Sequence, residues 1–219
     1  MMTVRTLTAT AIALVFLASE TAGQIPPGSS SGASSEPATN PWSFSASAST
    51  YFVPHSHVYA SPVFTADHGW LHLEARYNYE ALKTGSTWIG YNFKHGEKWV
   101  LEVSPMVAGV FGDLDGIAPG WNLSLSRGKF ELSSQNEFVF DLRDRSGNFF
   151  YSWAEFSYSP LDWFRFGIVS QRTKAYQTDL DIQRGLLAGF SYKKVNLSTY
   201  VFNFGWTDPT VVVTIGVDF

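Results

Sequence analysis

Three short clusters hold the residue types from which chemistry is usually built. Pro54-His55-Ser56-His57 sets an imidazole beside a hydroxyl, the pairing that activates a serine nucleophile. In extended chain, however, neighbours point to opposite sides, so His55 and Ser56 would not meet. His68 and His72 are four apart, a spacing that brings metal ligands together on a helix and not across a turn and a strand. "GDLDG" (Asp113, Asp115) and "TDLD" (Asp179, Asp181) hold acids of a calcium loop without the rest of its pattern, and read as solvated loop acids. With no cysteine in the chain, disulfides and thiolate metal sites are both excluded. GxGxxG, P-loop, GxSxG and HExxH motifs are missing. The sequence therefore predicts no enzyme, no cofactor and no metal.

The larger set of polar residues obeys a different rule, the two-residue period of a strand. His72, Glu74 and Arg76 alternate with Leu71, Leu73, Ala75 and Tyr77, and Ser43, Ser45, Ser47 and Ser49 alternate with Trp42, Phe44, Ala46 and Ala48. Glu102, Glu131, Glu137, Glu155 and Arg165 occupy equivalent positions further along. The texture holds from Trp42 to Phe219, with about twelve alternating segments near the ~9–11 residues that a tilted transmembrane strand needs. Connections after the even-numbered segments are tight ("DHGW", "KHGEK", "SRGK", "SPLD", "YKKV"). Most of those after odd-numbered segments are longer and more polar ("EALKTG", "GDLDGIA", "LRDRSGN", "TKAYQTDLDIQ"). Turn lengths predict that Ala66 pairs with Leu71, Phe93 with Trp99 and Leu125 with Phe130, keeping one face apolar throughout.

Ahead of this region, Arg5 and the uncharged run Leu7 to Ala18 have the form of a secretory signal, with cleavage expected before Gln24. Residues 24–41, rich in Ser, Gly and Pro, read as a flexible leader. Removal of residues 1–23 takes away one charge of each sign, so the mature chain keeps the net charge of −4 and gives no reason to propose nucleic acid. Charged residues make up only 16% of the chain, and aromatics as much. A soluble domain carries about a quarter charged residues, so part of this surface is expected to face something other than water.

A soluble barrel with an apolar interior has the same period. Two features favour a membrane barrel. Aromatics gather in two belts: Trp42, Trp70, Trp99, Trp121, Phe130 and Trp163 towards one rim, and Tyr77, Tyr79, Phe111, Phe138, Phe140 and Phe149 towards the other. The polar face also carries more charge than a small dry interior tolerates.

The last stretch, with Val211, Val213, Ile215, Val217 and Phe219 on one face, resembles the C-terminal signal of bacterial outer-membrane β-barrel proteins, which their assembly machinery reads. Val217 stands where that family often has an aromatic. The resemblance implies an outer-membrane location, outer-membrane lipids and the barrel assembly machinery as partners, and closure of the last strand on the first. The fold class expected is all-β: a transmembrane, antiparallel, up-and-down β-barrel spanning 42–219. The function expected is a narrow, porin-like channel passing small cationic or neutral solutes, lined by His72, Glu74, Arg76, Glu102, Glu131, Glu137, Glu155, Arg165 and the four serines. Glu155 and Arg165 are expected to face each other across the "SPLD" turn, with Glu131 on the next strand. The alternatives are a closed barrel with a structural or surface-interaction role, and a lipid hydrolase at the rim. For the latter, "HSHV" departs from the His-x-Ser-Asn pattern of outer-membrane phospholipases and lipid A deacylases.

Overall fold

The computed structural model describes residues 41–175, 181–205 and 208–219. The expected signal, all of the expected leader but Pro41, and Asp179 lie outside the described residues. Twelve antiparallel strands close into one barrel. They are β1 (Ser43–Phe52), β2 (Tyr59–His68), β3 (Leu71–Tyr77), β4 (Thr84–Tyr91, resuming at Phe93–His95), β5 (Val100–Gly112), β6 (Gly116–Arg127), β7 (Phe130–Asp141), β8 (Phe149–Leu161), β9 (Phe164–Ala175), β10 (Asp181–Tyr192), β11 (Val195–Phe202) and β12 (Thr210–Asp218). Asn92 interrupts β4, yet both parts pair with β5. Every strand pairs with its sequence neighbour, and β12 pairs with β1 from Ser45↔Asp218 to Phe52↔Val211. No edge is left open, which is what a bilayer requires of a sheet.

Phe219 completes the seam. Its N–H donates to the Phe44 carbonyl (2.9 Å), its carbonyl accepts from the Phe44 N–H (3.1 Å), and its ring stacks on Phe44. One end of the barrel carries the tight turns and both strand termini; we call it the turn end, and the other the loop end. At the turn end Gly128 has φ 58°, the left-handed region that a two-residue hairpin with glycine first demands.

The hairpin registers differ from the sequence expectation by an even number of residues. Ala66 pairs with Leu73, Leu125 with Leu132 and Phe93 with Val103. The partners are displaced by two or four residues, so the turns lie one or two residues further along, and an even displacement of partners leaves every side chain on its own face.

Outward positions are apolar and exposed over most of the wall: Phe64, Ile89, Leu101, Val107, Ile117, Leu132, Phe156, Ile168, Leu186 and Ile215 each expose more than a third of their surface. This band is the lipid-facing belt of a transmembrane barrel. Trp42, Trp70, Trp99, Phe130 and Trp163 ring the turn end, and Tyr77, Phe111, Phe138 and Phe140 stand near the loop end, all exposed. Three belt assignments are corrected. Trp121 is outward but mid-strand, opposite Pro105 and Asn136. Tyr79 turns into the lumen, and Phe149 packs against an interior cluster.

Candidate functional site

The interior is built in two storeys. In the half nearer the turn end, β1 and β12 present only small groups inward, so the wall stands back. A cavity of about 410 Å³ opens there, lined by Ser47, Ser49 and Thr214 on one side and by Glu74, Asn122, Ser124, Ser133 and Glu155 on the other. Ser49 and Thr214 bridge β1 and β12 through their hydroxyls at 2.7 Å. A second space of about 430 Å³ lies against Ser45, Ser47, Glu131, Arg165, Asn196, Thr214 and Asp218. Glu102 and Glu131 sit near the turn-end rim, Glu102 paired with Lys94 and Glu131 accepting from the Ser124 hydroxyl (3.1 Å). Ser43, at the start of β1, is exposed.

Towards the loop end the lumen is filled. The ladder on β3 explains much of this. Residues two apart share a face, so His72, Glu74 and Arg76 stack on one another in alternating sign. His72 Nε2 contacts Glu74 Oε1 at 2.8 Å, and Arg76 Nε donates to Glu74 Oε2 at 2.6 Å. At the lower end His72 Nδ1 meets Asp67 at 2.7 Å. Both carboxylate contacts are satisfied together only when both ring nitrogens carry hydrogen. At the upper end Arg76 Nη1 reaches across the lumen to Glu137 on β7, at 3.0 Å. The guanidinium is also sandwiched between Tyr79 and Trp88, 4.4 Å from each ring centre.

The β3–β4 connection folds inward to complete this layer. The Tyr79 hydroxyl donates to Gln135 Oε1 at 2.6 Å, and its ring meets Tyr151 edge-on. Glu80 Oε1 accepts from Ser86 (2.6 Å) and from the Trp88 indole (3.3 Å). Two apolar clusters flank the layer. One joins Trp88, Met106, Ala108, Val110, Leu114, Ala118 and Val139; the other joins Val169, Leu187, Tyr200, Phe202 and Val212. Tyr51, Tyr79, Tyr151, Trp153 and Tyr200 thereby form the roof of the first cavity.

Sequence reasoning missed both clusters, because it assigned apolar residues to the outer face. The signal that could have revealed them is broken alternation: Val211-Val212-Val213, Tyr200-Val201-Phe202 and Leu186-Leu187 are apolar on both faces. Glu80 opens the polar connection "EALKTG", whose residues carry no alternation.

Arg165 Nη1 does meet Glu155 Oε2, at 3.0 Å, and Nη2 donates to Ser198 at 3.1 Å. The expected matching heights are corrected. Glu155 stands opposite Val169, four residues along β9 from Arg165, which therefore lies nearer the turn end. Its long side chain reaches back, passing over Gly189, where a Cβ would lie 2.8 Å from it. The Trp153 indole donates to the same carboxylate at 2.8 Å.

The loop-end chemistry is sparse. His55 Nε2 lies 3.4 Å from Asp208, both well exposed, and the Ser56 amide closes a turn on Val53. Asp115 pairs with Arg143. The Asp144 carboxyl caps the short turn at Arg145–Gly147, and the Ser146 hydroxyl and amide hold it below the usual carboxylate range. Among the described residues, no group of three His, Asp or Glu side chains is arranged to hold a metal ion.

No protein-family model matches this chain, and no curated protein matches it. Among solved structures the barrel superposes on the KdgM porin with a TM-score of 0.57 at 12% identity, covering 80% of this chain and 99% of that one. KdgM porin in complex with disordered oligogalacturonate gives 0.56 at 12% identity, with the same coverage. The NanC porin gives 0.55 at 11% identity, covering 78% of this chain and 98% of that one. At these identities the likeness is one of fold: the chain has the architecture of an outer-membrane porin barrel.

Proposed function

We propose that this protein is a narrow outer-membrane channel for small polar solutes, cationic or neutral, with its turn end facing the periplasm. The observation that carries this reading is the hydroxyl- and amide-lined cavity inside a closed barrel, wide enough at about 410 Å³ to hold a solute with water around it. Among the charged groups of the interior spaces, carboxylates outnumber cations. Glu74, Glu102 and Glu155 border the first space, and Glu131 and Asp218 border the second, against Arg165 alone among cations lining either one. Such a wall attracts cations and repels anions. It is a poor match for a polyanion such as the oligogalacturonate bound by KdgM.

Transit beyond the cavity passes the layer of Arg76, Glu137, Tyr79 and Tyr151, which is the constriction in this reading. Burial of Arg76 (6% exposed) and Glu137 (3%) favours one alternative, a barrel closed at rest that presents its loops to partners. Recording from the mature chain in planar lipid bilayers tests the two. Discrete current steps with cation preference support a channel; silence from demonstrably folded barrels supports the closed form. The same reading takes residues 1–23 as a cleaved export signal, 24–41 as a periplasmic leader, and Val211, Val213, Ile215, Val217 and Phe219 as the strand that the barrel assembly machinery reads.

A further inference from the structure

We propose that the outer face of β9 and β10 carries a binding site for the phosphate of an outer-leaflet lipid, built on Arg172 and Arg184. This rests on the transmembrane reading and on the loop end facing the cell exterior. The alternation of these two strands is fixed from within, because Val169 and Leu187 are buried in the interior cluster. Even-numbered residues of both therefore point to lipid. From the turn end, β9 presents Phe164, Phe166 and Ile168 outward, as a lipid-facing wall should. The series then changes: Ser170 and Arg172 follow on β9, and Arg184 takes the equivalent place on β10.

Arg184 stands opposite Ser170, and Arg172 opposite Ile182. The two arginines are thus diagonal neighbours on adjacent strands, about 7–8 Å apart at the backbone and within reach of one tetrahedral oxyanion. Both are exposed. Around them the polar character continues: Ser152 stands opposite Arg172, and its hydroxyl donates to Asn136 at 2.8 Å. Elsewhere this height of the wall is held by Tyr77, Phe111, Phe138 and Phe140. The described outward positions of β7 to β10 hold no carboxylate, so the patch is basic without internal compensation from that face.

Two guanidinium groups at the hydrocarbon boundary are costly facing acyl chains and favourable facing phosphate, which they bind through paired N–H donors. The polar side chains lie in the loop-side half of the wall, where head groups of the outer leaflet begin. Ser152 and Asn136 beneath them offer partners to the ester, amide or hydroxyl groups just inside such a head group. A phosphorylated glycolipid of the outer leaflet fits all three features: charge, depth and hydrogen-bonding capacity.

The test is native mass spectrometry of the full barrel in detergent, titrated with diphosphoryl lipid A. The wild type should retain one lipid per barrel. Arg172→Gln/Arg184→Gln should weaken retention at least about ten-fold, because two charge-assisted contacts are lost. Arg172→Lys/Arg184→Lys should retain most of it, and millimolar inorganic phosphate should not displace the lipid. Folding of each variant is checked by its heat-modifiable mobility on gels. Equal retention by the glutamine variant overturns the site, as does equal binding of dephosphorylated lipid A. Tighter retention of cardiolipin overturns the outer-leaflet assignment. A glutamine variant that binds lipid A normally but loses a dimer would make the patch a contact with a second copy, and overturn the lipid site as well.

Discussion

Replacement of Arg76 by methionine separates a dry interior from a wet one. The guanidinium meets Glu74 at 2.6 Å and Glu137 at 3.0 Å, with side chains 3%, 5% and 3% exposed in turn. Methionine keeps most of the packing between Tyr79 and Trp88 but leaves three buried carboxylates, Glu74, Glu137 and the more distant Glu80 (3.9 Å), without their cation. Breaking a buried pair in this way costs about 3–5 kcal/mol, most of it the penalty of the stranded charge. Were the same groups bathed in a water-filled channel, screening would reduce the loss to about 0–1 kcal/mol. The two values do not overlap, so the size of the effect reports how dry the layer is. Equilibrium unfolding in urea, from lipid vesicles that support reversible folding, reads it directly. Arg76→Met/Glu137→Met should recover part of the loss by removing one stranded carboxylate. A destabilisation below about 1 kcal/mol for Arg76→Met would refute the reasoning, and with it the description of the loop-end half as side-chain filled.

Further outcomes follow from other contacts. Tyr79→Phe removes only the hydroxyl bonded to Gln135, so it should raise the open fraction of single channels about five-fold, the worth of roughly one hydrogen bond, and leave unit conductance unchanged. Glu102→Gln/Glu131→Gln removes two rim carboxylates and should move the reversal potential in a KCl gradient towards zero, with stability unaltered. Deletion of Phe219 removes both backbone bonds that close the seam on Phe44, and should lower the folded fraction recovered from outer membranes on heat-modifiability gels. Gly167→Ala should destabilise by more than about 2 kcal/mol in the urea assay, since its Cβ would collide with the Phe156 carbonyl oxygen.

The barrel was legible because one physical rule, the alternation of a pleated strand between two solvents, acts at nearly every position. A mistake of two residues in a hairpin, as at Ala66–Leu73, leaves that rule intact, which is why the fold could be read while the registers were not. The Ser45–Ser47–Ser49 face was legible for the same reason: small polar residues leave space wherever their strand is placed. The loop-end filling escaped because alternation assumes that inward means polar. Trp88, Val139, Val169 and Phe202 are inward and apolar, and only the packing of several strands around one axis reveals that they meet. Tyr79 escaped because alternation continued past Tyr77 sets it outward, whereas the strand ends there, and Glu80 because the connection carries no period from which a direction could be read. The meeting of Arg76 with Glu137 spans 61 positions in sequence and depends on barrel curvature, which no local pattern encodes.

The central claim is that the outward side of the strands faces lipid, while the inward side of the turn-end half faces water. The absence of native cysteine permits a clean test. Single cysteines at Val213, Ile215 and Val217, and at Thr214, Gly216 and Ser47, would be spin-labelled in lipid vesicles and probed with oxygen and with a water-soluble nickel complex. The account predicts strong oxygen and weak nickel broadening at the first three positions and the reverse at the second three. Uniform nickel access at all six, or an alternation of opposite phase, would contradict it.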